Sequence, residues 1–318
     1  MSDPTRTKHR IPVILDTDIG GDIDDTWALA MLLKSPELDV KLVVADAGNT
    51  PYRARIIAKM LEVADRTDIP VGVGVADERY CHQRQAAWLD GYDLADYPGT
   101  VHMDGVGAII DTIMSSPEPV TLVCIGPVPN IGEALRREPR IVENARFVGM
   151  HGAVYKGYGT APPGPECNVA NFTPACQAAL SAAWDVTITP LDTCGIVVLD
   201  GEDYQAVRQC QDPLIQALMA NYRVWLAHNE RPAHMVQADL ATKSSTLFDL
   251  VAIYLAFSED LLVMKDLPIR VTDDGCTVVD ADAKRLHVAV DWHDLGAFRT
   301  FLVERLTSET VPKTAPSA

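Results

Sequence analysis

Between an apolar, strand-like run, Ile11 to Leu15, and a helix-like run, Trp27 to Leu33, the chain places five aspartates within ten residues: Asp16, Asp18, Asp22, Asp24 and Asp25. The order strand, acidic turn, helix puts these carboxylates at a strand's carboxyl end and a helix's amino end. In open α/β sheets that crevice is where ligands bind, and the helix dipole favours negative charge there. Gathering the charges is costly, because two unit charges ~4 Å apart repel by about 1 kcal/mol in water and ~4 kcal/mol at the effective dielectric of a partly buried site. A bound divalent cation is the simplest compensation. Singly, Asp24 or Asp25 reads as a helix cap and the rest as solvated side chains, but that leaves the cluster unexplained.

Carboxylates without nearby Cys or His point to a hard cation, calcium before magnesium, and calcium takes about 6–8 oxygens. An EF-hand is excluded by spacing. Counting from Asp16, the sixth position is Gly21, but the ninth is Asp24 and the twelfth is Trp27, where a bidentate Glu is required. The remaining ligands must come from elsewhere in the chain.

Further strand-like runs recur at Val40 to Ala45, Val71 to Val75, Val120 to Ile125, Phe147 to Met150 and Val186 to Thr189, separated by helix-length segments such as Tyr52 to Ala64 and Gly105 to Met114. This alternation predicts a single α/β domain with a mainly parallel sheet and helices on both faces. The region 261–306 reads as shorter strands, including His287 to Asp291, closed by a helix from about Leu295. No linker, repeat or low-complexity block interrupts residues 11–307; residues 1–10 and 308–318 read as flexible ends.

The net charge of −17, from 27 basic and 44 acidic residues, argues against nucleic acid, an anionic membrane surface or a phosphorylated substrate. Gly20-Gly21 is not a phosphate loop, since no Lys-Ser/Thr follows and the neighbouring carboxylates would repel a phosphate. No apolar run approaches ~20 residues and the charged amino terminus lacks an apolar signal core, so the chain reads as cytoplasmic and soluble. Its seven cysteines are scattered, an odd count without Cys-x-x-Cys, as expected of free thiols.

The segment Asp16-Thr17-Asp18, Gly20-Gly21, Asp24-Asp25, Ala28-Leu29 resembles the amino-terminal signature of the inosine-uridine-preferring nucleoside hydrolase family, with two more residues between the paired acids than in its best-known members. Other motifs follow in the family's order. Ala47-Gly48-Asn49 resembles its ribose-contacting Asn loop, and Leu122 to Asn130 its strand ending in Gly-Pro-x-x-Asn. Pro165-Glu166-Cys167-Asn168 resembles its Glu-x-Asn pair, and Leu247-Phe248-Asp249 its last metal carboxylate before a buried helix. The resemblance implies a nucleoside-hydrolase-like fold, a homo-oligomer (dimer or tetramer), and calcium-dependent hydrolysis of ribonucleosides to ribose and free nucleobase. It implies calcium ligation by Asp18, Asp25, the Ile125 carbonyl and Asp249, with Asp18 the base that activates a calcium-held water. Asp24, Asn49, Glu166 and Asn168 would surround the ribose. Taken one at a time, Asn49 and Asn168 also suit ordinary turns, and Asp249 a helix cap.

Water attack on an N-glycosidic bond passes through an oxocarbenium-like state, so such a site needs a base, groups that hold the sugar hydroxyls, and help for the departing nucleobase. Leaving-group help is where this chain departs from the family pattern: the His commonly found directly before the last metal Asp is here Phe248, which equally suits core packing. His102, Tyr222, His228 and His234 are the tentative substitutes, and His151 and Tyr158 are further unranked candidates. Two other classes stay open. A haloacid-dehalogenase-type phosphatase also begins with a strand and Asp-x-Asp, although Ile19-Gly20-Gly21 does not suit its continuation, and Phe248 leaves room for a non-catalytic calcium-dependent nucleoside- or ribose-binding protein. A ribosyl conjugate other than a common nucleoside is a third possibility.

Overall fold

The computed structural model describes residues 10–78, 81–228 and 238–309. The ends expected to be flexible lie, apart from Arg10, Ser308 and Glu309, outside these residues.

The strands are β1 (Ile11–Thr17), β2 (Leu38–Ala45), β3 (Val71–Val73), β4 (Val101–His102), β5 (Val120–Cys124), β6 (Ala145–Met150), β7 (Val186–Thr189), β8 (Leu262–Val271), β9 (Thr277–Val279) and β10 (Arg285–Trp292). They form one sheet in the order β4-β3-β2-β1-β5-β6-β7-β10-β8-β9. From β4 to β10 every pairing is parallel, and β8 joins β10 and β9 antiparallel. The mainly parallel α/β architecture predicted from the alternation of runs is the one observed.

Burial of β1 on both faces explains its unbroken apolar run: Val13 and Leu15 enter one core and Ile14 the other, as the two-residue strand period requires. Each such side chain contributes roughly 1.5–3 kcal/mol of burial. The helix Asp24–Leu33 that follows is buried at all ten positions. Its sequence is accordingly apolar all round beyond the first turn, with Trp27 wedged edge-on against Tyr222.

The carboxyl-terminal region departs from expectation. Instead of short strands, β8 runs for ten residues and pairs along β10 from Leu262 opposite Trp292 to Pro268 opposite Arg285. Lys265, Asp266 and Pro268 break its apolar pattern because this part of the strand is half-exposed. Its continuity comes from backbone pairing, which composition does not reveal.

What the topology fixes for function is the position of β1. The chain leaves β1 toward β2 on one side and returns to β5 on the other, so the sheet order reverses at β1 and opens a crevice at the carboxyl ends of β1 and β5. The acidic turn sits there.

Candidate active site

A cavity of about 540 Å³ occupies this crevice. By chemistry its lining divides into an acidic set, Asp18, Asp22, Asp24, Asp25 and Asp249, and an aromatic set, Tyr158, Trp225 and Phe248, with Ile125, Met150, Glu166 and Asn168 also lining it.

The capping explanation for the acids does not hold. The helix Asp24–Leu33 has Ile23 at its cap position with no side-chain cap bond, and Asp24 and Asp25 lie inside its first turn. Asp249 does stand at the cap position of the helix Leu250–Leu255, yet its side chain makes no cap bond either. Asp24, Asp25 and Asp249 instead converge, each offering an oxygen within 4.8 Å of the others. Thr17 Oγ1 donates to Asp25 Oδ1 at 2.5 Å. Burial, followed by repulsion from neighbouring carboxylates, pushes all three well above the usual carboxylate range. Burial also raises Asp18, but there the Arg53 guanidinium, 3.8 Å away, opposes it.

A divalent cation fits this donor set, being all oxygen, buried, anionic and convergent. The three carboxylates drawn together include Asp24, assigned by resemblance to the sugar. Asp18 stands beside them, next to Asp25. Ile125 lines the cavity, and its carbonyl accepts a 3.0 Å bond from Asn168 Nδ2.

Three further buried polar side chains, Asp16, Asn130 and Asp46, stand outside the cavity lining, and of these Asp46 alone was not singled out in the sequence. Asn130 Nδ2 donates to Asp16 Oδ1 at 2.7 Å, and Asp46 accepts from the backbone N–H of Val128 at 2.9 Å. The latter bond holds Val128 at φ 61°, a left-handed conformation costly for a β-branched residue, just before the helix Pro129–Arg137. Burial raises Asp16 to about 7. Asp46 carried no sequence signal beyond following an apolar strand. Arg53 had one, since it occupies the otherwise apolar stripe of Ile57, Met60 and Leu61 on the helix Thr50–Val63.

Glu166 and Asn168, assigned to the ribose by the resemblance, both line the cavity. Glu166 accepts from the N–H groups of Gly152 at 3.0 Å and Asn168 at 2.8 Å, and burial still lifts it to about 7. Asn168 Nδ2 also donates to the Met150 carbonyl at 3.0 Å, which ties the carboxyl ends of β5 and β6 together. Asn49 is a correction. Ala47 at φ 53° and Gly48 at φ 60° turn the chain so that Asn49 Oδ1 accepts from Tyr52 N at 3.1 Å. It caps its own helix and does not line the cavity.

The tentative leaving-group residues are also corrected. His102 is exposed on edge strand β4, and His228 is exposed at a helix end with Nδ1 on the Val224 carbonyl. Tyr222 is fully buried, with its hydroxyl donated to the Lys243 carbonyl at 2.9 Å. None of the three lines the cavity, and His234 lies outside the described residues. His151 is a core histidine packed on Phe147, and burial lowers it to about 4. Tyr158 does line the cavity, edge-on to Phe248 with ring centroids 6.0 Å apart. Its hydroxyl accepts from Cys167 N at 3.0 Å and donates to Glu166 Oε1 at 3.4 Å. Phe248 is therefore part of the cavity wall as well as packing. Trp225 and Ser245, which sequence reading missed, join this wall with an indole N–H and a hydroxyl that lack partners among the described residues.

Comparison with known proteins agrees with this geometry. The non-specific ribonucleoside hydrolase RihC of Escherichia coli (strain SE11) is 29% identical over 319 residues, covering 93% of this chain and 98% of the relative. RihC of Shigella sonnei (strain Ss046) is 28% identical over 318 residues with the same coverage. Among solved structures, the plant nucleoside hydrolase PpNRh1 enzyme superposes with a TM-score of 0.75 at 23% identity, covering 94% of this chain and 100% of its own. The purine-preferring ribonucleoside hydrolase from Gardnerella vaginalis gives 0.74 at 20% identity, covering 93% and 98%. At these identities the superpositions speak to fold alone. The model of the inosine-uridine preferring nucleoside hydrolase family matches residues 13–300, a span that contains every wall of the cavity and displaces the phosphatase alternative. This chain belongs to that family, the inosine-uridine preferring nucleoside hydrolases, and is a hydrolase acting on N-glycosyl compounds.

Proposed function

We propose that the enzyme is calcium-dependent and cleaves ribonucleosides to ribose and free nucleobase, with Asp18 as general base. The observation that carries this reading is a single cavity lined both by a cluster of carboxylates and by the aromatic rings of Tyr158, Trp225 and Phe248. A ribonucleoside has the same two halves, a polyhydroxylated sugar and a flat heterocycle.

Asp24, Asp25, Asp249 and the Ile125 carbonyl would hold the cation, with Asp18 beside them. Bound there, calcium would supply the positive charge that orients water and vicinal hydroxyls and eases loss of a proton. Asp18 accepts that proton as the water attacks the anomeric carbon. Glu166 and Asn168, fixed by backbone bonds, meet the ribose, and a sugar lacking a hydroxyl would leave such buried polar groups unpaired. Phe248, Tyr158, Trp225 and Met150 sandwich the nucleobase. The phenyl ring of Phe248 has no proton to give, so the leaving group departs largely on its own merits.

By the family resemblance we also extend to this chain a homodimeric or tetrameric assembly in the cytoplasm. Among the described residues no helix is long and apolar enough to cross a membrane.

The test is a panel of ribonucleosides incubated with chelator-treated protein, with and without added calcium, with free ribose measured. Calcium-dependent ribose release is expected. Release that ignores calcium, or zinc found in active protein, rejects the metal assignment. Silence toward every nucleoside rejects the substrate assignment in favour of another ribosyl conjugate or a binding protein.

A further inference from the structure

Arg53 is fully buried and belongs to the helix Thr50–Val63, which supplies none of the cavity's carboxylates. Its Nη2 lies 3.8 Å from Asp18 Oδ2. Its Nη1 donates to the Ile19 carbonyl at 2.9 Å and its Nε to the Ala47 carbonyl at 2.8 Å. One side chain thereby joins the turn after β1, which bears the acids, to the turn after β2. Its ion pair is with Asp18, and its field reaches Asp25 as well.

The acidic turn packs on the helix that carries this group. Gly20, at φ 100°, has no room for a Cβ, which would come within 2.7 Å of Ile56 and Tyr52. A Cβ at Gly21 would stand in ordinary contact with the Arg53 guanidinium, at 3.5 Å from Nη1. Tyr52 donates its hydroxyl to the Gly20 carbonyl at 3.2 Å. Neutral donors could have satisfied the Ile19 and Ala47 carbonyls. A permanent cation next to a cluster of carboxylates does more, because it lowers the repulsion among them before any metal arrives and weakens the attraction for a metal by the same charge.

We propose that Arg53 is a positioning residue of the cation site, an internal counter-charge that keeps Asp18 and its turn assembled when the cluster is empty and sets calcium affinity below what the carboxylates alone would give. This rests on the calcium reading above. A purely structural arginine would affect the empty and loaded protein alike. A counter-charge affects the empty protein more.

The experiment measures calcium affinity by titration calorimetry, and the rise in melting temperature from chelator to saturating calcium, for wild type, Arg53→Gln, Arg53→Met and Arg53→Lys. The neutral variants should bind calcium about tenfold or more tightly and show a larger calcium-induced rise in melting temperature, because loss of the nearby charge removes a repulsion felt by the metal. Arg53→Lys, which keeps the charge, should stay near wild type. The two neutral side chains guard against one of them failing to fold. Affinity within twofold of wild type, or weaker, in the neutral variants overturns the proposal, as does an equal change in Arg53→Lys. Absence of any calcium effect in wild type fells the metal reading itself and this proposal with it, and so is distinguishable from failure of Arg53 alone.

Discussion

The two walls of the cavity are made differently. The acidic wall is carried on strand ends and helix starts, on Asp18 after β1, Ile125 after β5, and Asp249 at the head of the helix Leu250–Leu255. The side chains of Asp18, Asp24, Asp25 and Asp249 are buried there. The aromatic wall is assembled from the loop after β6, the helix Pro213–Ala227 and the stretch before Asp249, and Tyr158 in it remains 45% exposed. On the proposed reading, chemistry common to every ribonucleoside would sit on the sheet's strand ends, and discrimination among nucleobases on segments that can change without disturbing the sheet.

If that division is correct, the largest effect belongs to the acidic wall. Asp18→Asn should lower turnover by roughly 10²–10⁴-fold, since it removes proton acceptance and disturbs the cation site together. Single-turnover rates at saturating calcium measure it. Near wild-type rates would remove Asp18 as the base.

Changes to the aromatic wall should depend on the leaving group. Wild type should cleave a nitrophenyl riboside about 10²-fold or more faster than inosine or uridine, because only a poor leaving group needs general acid help. Phe248→His should narrow that gap by accelerating the natural nucleosides selectively. If wild type shows no such gap, an acid is already present, and Tyr158→Phe should then depress the natural substrates alone.

A smaller effect is expected at Asn49, which the structure moves from sugar contact to helix cap. Asn49→Ala should cost about 0.5–2 kcal/mol of stability through the lost cap, measured by denaturant unfolding, with the Michaelis constant unchanged. A raised Michaelis constant at unaltered stability would return Asn49 to the ribose.

The smallest effect lies away from both walls. His287 on β10 bonds Asp266 Oδ1 at 2.7 Å through Nδ1 and Glu259 Oε2 at 2.8 Å through Nε2. Burial lowers its pKa, but the two carboxylates outweigh burial and hold it above 6.5. A raised folded pKa contributes stability that is fully present below about pH 6.5 and is lost as pH rises through the higher folded value. His287→Gln should therefore lower the melting temperature near pH 6 and converge on wild type by about pH 9. The group is 37% exposed, so solvent screening keeps the contribution under about 1 kcal/mol. Convergence at low pH instead would reverse the sign assigned to the pair.

The acidic wall was legible because its chemistry is local in sequence. A strand, an acid-rich turn and a buried helix within some twenty residues state their own geometry, whereas Glu166, Asn168 and Asp249 were reached through the family's motifs. The aromatic set was legible only in part: Phe248 stood out against the family pattern and Tyr158 as an unranked candidate, but Met150 and Trp225 pass for packing and nothing local brings the four together. His102, Tyr222 and His228 had suitable chemistry and the wrong location, and no local pattern separates a histidine that lines a cavity from one on an edge strand.

Arg53 and Asp46 mark the limit from the other side. An arginine in an apolar helix stripe signals a buried partner without naming it, and an aspartate after a strand does not announce that it will hold Val128 in a strained turn. The sequence by itself determined the parallel α/β architecture, the carboxylates at the end of β1 and the oxygen-only character of the candidate cation site. These follow from side-chain period and from charge, which are properties of neighbouring residues. Only the tertiary structure decided that Arg53 lies beside Asp18, that Asn49 caps a helix and that Tyr158 meets Phe248. Such contacts join residues far apart in the chain, and they are set by how the sheet reverses its order at β1 and where the loops then close.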